Sequence, residues 1–167
     1  MKCLNEIKQL SLEIVKEMAV AAEAKAAEMN VPVVFAAVDA GANLMLMHRM
    51  EDAFITSMDI AINKAFTSAA LKIGSHEIVE DIQPGASLYG LQLTNDCKIV
   101  TFGGGFPIKV DGKVVGAVGV SGGTVEEDMT IAKAAIAVFE KQLKEETVEV
   151  KEIKEVKKTN EAKKQKK

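Results

Sequence analysis

The chain has 167 residues, a formal net charge of −3, 48% hydrophobic and 27% charged residues, the composition of one globular domain able to bury a core. No apolar run approaches the roughly 20 residues of a membrane helix, and Met1–Glu6 lack the apolar core of a secretory signal. The acidic balance and 4% aromatic content argue against a nucleic-acid surface, so the expectation is a cytoplasmic protein with neither nucleic acid nor membrane as a partner.

Residues 4–29 repeat apolar positions at spacings of three and four and are rich in alanine, which predicts a helix. Pro32 ends it. Val33–Val38 is a continuous apolar run, the mark of a strand covered on both faces. Turn residues Asp39–Asn43 and a second strand at Leu44–Met50 complete a hairpin. Phe54–Ile73 predicts a second helix closed by Gly74. Ser75 is positioned to cap a short turn over His76–Asp81, and Leu88–Leu93 reads as a further short helix. Strands follow at 98–102, 106–110 and 113–120, the last two joined by the Asp111-Gly112 turn. Thr124 with Glu127 forms a capping box that opens a helix running to about Lys144.

The order of elements excludes strand–helix alternation and predicts an α/β (α+β) domain. It is a three-layer α-β-α sandwich of profilin-like type with a five-stranded, mainly antiparallel sheet. The domain occupies residues 1–143. From Lys144 the composition shifts: nine lysines against six glutamates leave the tail at +3 and the remainder at −6. This tail, 144–167, is expected to be a frayed helix that ends disordered.

Chemistry-bearing residues are few. Cys3 and Cys97 have no close pairing that suggests a zinc site or a staple. His48 and His76 are the only histidines, so a three-histidine metal site within one chain is excluded and a site using one histidine per subunit is permitted. His76 lies in a polar loop and is free to reach a ligand. His48 lies on a strand among methionines, and either histidine can equally be a hydrogen-bonded structural residue. Gly103–Gly105 and Ser121–Gly123 sit at strand ends, where backbone N–H groups can meet an anion or a flat ligand, or where glycine merely turns a corner. Asp39, Lys64 and the Ser121-Gly122-Gly123-Thr124 loop are candidates for a polar small-molecule pocket; the alternative is that Asp39 is a turn residue and Lys64 part of a solvated pair.

Several segments together resemble one family. They are Val38-Asp39-Ala40-Gly41, Arg49–Ala53, Asp59–Ala65, Gly103–Ile108, and Val115–Thr124 followed by Glu126-Glu127-Asp128. They are similar to the GlcG/HbpS-like haem-binding family, and Pro84–Gln92 looks closest to the C-terminal domain of PduO-type cobalamin adenosyltransferases. The resemblance spans about residues 5–143. It implies an α-β-α sandwich, homo-oligomers from dimers to octamers, and haem b near subunit interfaces as the cofactor. His76 is the implied axial ligand to the haem iron, with Glu77 and Gly103, Gly104 and Gly105 beside the cofactor.

The function this implies is a haem-binding accessory protein of cytosolic diol or corrinoid-type metabolism. A bacterial microcompartment is an allowed location, and adenosyltransferase or microcompartment proteins are allowed partners. No catalytic residue is expected, and adenosyltransferase activity is not carried over, because residue 1 opens the first helix and no adenosyltransferase domain precedes it. Two readings compete: a small-molecule enzyme using Asp39, Lys64 and Ser121–Thr124, and a structural oligomer without haem.

Overall fold

The computed structural model describes residues 7–164, with side chains to residue 148. Helix α1 (Leu12–Met29) is followed by the hairpin β1 (Val34–Asp39) and β2 (Leu44–Arg49), then by α2 (Thr56–Leu71). A long connection containing three short 3-10 turns leads to the hairpin β3 (Gly105–Val110) and β4 (Lys113–Ser121), and α3 (Val125–Lys164) closes the chain. The four strands form one antiparallel sheet in the order β2-β1-β4-β3.

Alternation along β1 divides the core into two layers. Val33, Phe35 and Ala37 face α1 and α3 and pack with Met18, Ala22, Val118, Val120 and Ile131. Val34, Ala36 and Val38 face α2, where Ala61, Ala65 and Ala69 meet Ala36, Val38 and Ala117. The small residues of α2 let its backbone lie close to the sheet. A Cβ on Gly119 would collide with the carbonyl oxygen of Ala61. The three-layer expectation therefore holds.

The five-strand expectation does not. Residues 98–102 form no ladder. Their polar backbone groups are met by side chains instead: the Val100 N–H donates to Thr67 Oγ1 at 2.9 Å, and Thr67 and Ser75 hydroxyls reach the Lys98 and Phe102 carbonyls at 3.2 and 2.7 Å. With these groups satisfied from α2 and its exit, no neighbouring strand is required.

Other boundaries shift for local reasons. Helix α1 starts at Leu12, capped by Ser11, because the preceding residue, Leu10, is held extended by its N–H bond to Val115 O at 3.1 Å. Residues 4–6 of the longer expected helix lie outside the described residues. Lys72, in the left-handed region, closes α2 in place of Gly74. The capping box stands as expected, with Thr124 N–H donating to Glu127 Oε2 at 2.8 Å. Helix α3 runs on past Lys144 through Lys164, along the stretch expected to continue as a helix. The expected disordered end falls partly on 165–167, outside the described residues.

Candidate functional site

The residues expected to form a polar pocket separate into two places. In the antiparallel pairing, Asp39 faces Gly116 while Ser121 faces Val34, so five residues of strand, about 17 Å, lie between them. Asp39 Oδ1 accepts from the Gly41 and Asn43 N–H groups at 2.8 and 2.9 Å. These bonds, that from Asn43 foremost, hold its carboxyl below the ordinary value. It is a turn-forming residue, and the pocket that included it is not assembled.

Lys64 is fully buried. Its Nζ donates to Asp128 Oδ2 at 2.7 Å and to Val120 O at 2.8 Å, and stands 4.9 Å from the centre of the Phe102 ring. Burial pushes the lysine down and the Asp128 carboxyl up, and the contact between them opposes both shifts. Asp128 Oδ1 also accepts from Gly123 N–H at 2.9 Å. The N–H groups at the start of α3 that looked ready for an anion are thus taken by the chain's own carboxylates, Asp128 and Glu127. Ser121 is buried against Ser57, hydroxyl to hydroxyl at 3.1 Å.

Gly103, Gly104 and Gly105 are buried in the same region. A Cβ on Gly103 would meet Met129 Sδ at 2.5 Å, one on Gly104 would meet Lys64 Nζ at 2.7 Å, and one on Gly105 would meet Ser68 Oγ at 2.7 Å. These glycines are needed because α2 and α3 crowd the entry to β3.

The imidazoles are the groups left for an external ligand. His76 follows Ser75, whose hydroxyl accepts from Gly105 N–H at 2.9 Å and so ties the exit of α2 to β3 rather than capping a turn. Its half-buried ring lies 5.6 Å from that of Phe106. Nδ1 is buried with no hydrogen-bond partner among the described residues. Glu77, next in the chain, accepts the Gly74 N–H at Oε1, 2.5 Å away.

His48 lies on the edge strand β2, opposite Phe35. Its Nδ1 is 2.7 Å from Glu23 Oε1 on α1, and the two side chains are 42% and 37% exposed. Glu23 was invisible in the sequence reading, since 25 positions separate it from His48 and no motif links them. Asp128 was legible only as part of a resembling segment.

Haem requires an imidazole nitrogen that can be approached from outside; the His48 side chain is 42% exposed and His76 is half-buried. The residues therefore fit the group, His48 better than His76. Iron at Nε2 leaves the proton on Nδ1, and an N–H buried without an acceptor, as at His76, costs about 1–3 kcal/mol. No group of three or more His, Cys, Asp or Glu that could hold a metal ion occurs among the described residues, and no helix among them is long and apolar enough to cross a membrane. A half-open cavity of about 580 Å³ lies between the start of α1 and α3, lined by Leu10, Ile14, Val115, Phe139 and Leu143 among others. It contains neither histidine.

The family described as "Haem degrading protein HbpS-like" matches residues 10–137. A 15.0 kDa protein encoded in the dhaT-dhaS intergenic region of Citrobacter freundii is 58% identical over 135 residues, covering 81% of this chain and 95% of the relative. The corrinoid adenosyltransferase PduO of the same organism is 44% identical over 128 residues, 77% of this chain but only 38% of that enzyme. The crystal structure of a PduOC:heme complex superposes with a TM-score of 0.76 at 43% identity, covering 78% of this chain and 94% of that one. With its model matched over most of its length, the chain belongs to the HbpS-like family.

Proposed function

We propose that this protein holds haem b as a non-catalytic accessory protein, with His76 Nε2 as an iron ligand. The observation that carries the reading is a half-buried imidazole beside Phe106, in a chain 43% identical to a domain solved with haem. An imidazole ligand sets the spin state and potential of haem iron; the chain's part is to fix the ring and to shield one of its edges. The names of its relatives suggest a setting in diol or corrinoid metabolism, in the cytoplasm or a microcompartment. Self-association and adenosyltransferase or microcompartment partners belong to the same reading. The activity of the whole adenosyltransferase does not, since the chain spans 38% of its length.

Titration of the purified protein with haemin tests this. The expected result is a sharpened, shifted Soret band that His76→Ala diminishes while the far-ultraviolet circular dichroism stays unchanged. An unaltered free-haemin spectrum on mixing would contradict it. Bleaching of the Soret band with iron release under ascorbate would assign haem breakdown, the activity in the family's description, in place of a holding role.

A further inference from the structure

We propose that the cavity between the start of α1 and α3 is a binding site for a small organic cation with an apolar chain, a primary alkylammonium in class. The site is independent of the haem reading, since neither histidine lines it.

The apolar lining comes from three elements. Val110 and Val115 lie near the turn of the β3–β4 hairpin, Ile14 is on α1, and Phe139 and Leu143 are on α3. Leu10 completes the lining. Its N–H bond to Val115 O at 3.1 Å ties it to β4, and a Cβ on Gly116 would meet its Cδ1 at 2.5 Å. A backbone bond and a glycine thus seat Leu10 on the strand, so this side of the cavity is formed before any ligand arrives. The volume, about 580 Å³, falls within the roughly 300–1,000 Å³ of small-molecule sites.

The polar groups of the lining call for a donor that carries positive charge. Gln142 belongs to the lining, and its Oε1 is buried with no hydrogen-bond partner among the described residues. A buried acceptor left open is explained by a group that donates to it from outside the chain. Glu13 and Glu146 also line the cavity; both are exposed, and neither has an ion-pair partner among the described residues. Glu13 lies in the first turn of α1, where it offsets the positive end of the helix. Glu146 lies within α3, remote from either helix end. The lining's own cation, Lys8, is taken by Asp111, whose Oδ2 is 3.1 Å from Nζ. An ammonium group brings three donors and a positive charge, and its alkyl chain meets the apolar lining. A fatty carboxylate of the same length meets acceptors and like charges, and an alcohol supplies a donor without the charge.

The test uses the full chain carrying carbon-13 in its methyl groups, titrated with decylamine, decanol and decanoate below their micellar concentrations. Saturable shifts are expected at the methyls of Leu10, Ile14, Val110, Val115 and Leu143. Decylamine should bind at least about 10-fold more tightly than decanoate at low salt, and the gap should narrow as salt is raised. Glu13→Gln combined with Glu146→Gln, both at exposed positions, should erase that preference and keep the binding of decanol. Leu143→Trp, which fills the cavity, should abolish the shifts while the circular dichroism stays unchanged. The His48→Ala/His76→Ala double variant should bind decylamine as the wild type does, which separates failure here from failure of the haem reading. No saturable shift at these methyls with any of the probes refutes the site. Equal binding of decylamine and decanoate refutes the cation. If deletion of residues 2–6 moves the same methyls without a probe, and only the shortened chain binds decylamine, the chain itself is the occupant and the proposal is overturned.

Discussion

At Lys64 an ammonium group is withdrawn from water and answered by one carboxylate, one carbonyl and one aromatic face. Removing either charged partner leaves the other buried and uncompensated. Lys64→Ala is predicted to lower stability by about 3–5 kcal/mol in urea unfolding, whereas Lys64→Met with Asp128→Leu should come close to neutral. A double variant as unstable as the sum of the singles would contradict this account of the pair. Asp39 behaves oppositely, because bonds from Asn43 and Gly41 lower its pKa. The stability it contributes is present above its unfolded value of 3.8 and is lost as the pH falls through the lower folded value. Acidification below pH 3.8 should therefore release protection of the Gly41 and Asn43 amides, and Asp39→Asn should remove that acid dependence. Sequence alone left Asp39 open between a turn and a pocket, because the choice depends on strand pairing. Lys64 was open between a pocket and a solvated pair, and its depth was hidden because its partner lies 64 positions away.

Hairpins and helices were legible at the scale of elements because their signals are local: alternation, the Asp111-Gly112 turn, and the Thr124–Glu127 box. The segment 98–102 was misread because its apolar pattern is that of a strand, while its partners are hydroxyls from Thr67 and Ser75. The glycine triplet was legible as a place of close approach or a tight corner. Glycine signals close approach, and the groups that come close to it are Lys64, Ser68 and Met129. The same principle makes Gly119 a sensitive position. Gly119→Ala should destabilise the protein by at least about 1–3 kcal/mol, since α2 must lift off the sheet to admit a methyl group. Thermal unfolding checks this, and an unchanged melting temperature would mean that α2 tolerates displacement.

Over the whole molecule the layers and core were readable from periodicity, whereas the ligand geometry was not, since it depends on which edge of the sheet each histidine occupies. Residues 144–148 are exposed, and among the described side chains of α3 Phe139 packs on the core while Leu143 lines the cavity beside α1. Truncation after Lys144 should leave the melting temperature nearly unchanged; a large drop would mean that the tail packs on the body or on another copy. Light scattering at micromolar concentration should report an oligomer, as haem near a subunit interface requires. Imidazole-ligated haem is tested most directly by comparing the haemin titration of the wild type with that of the His48→Ala/His76→Ala double variant. Saturable binding with a low-spin Soret band in the wild type, and its loss in a double variant that still folds, is the predicted result. Equal affinity and identical spectra for the two proteins would contradict it.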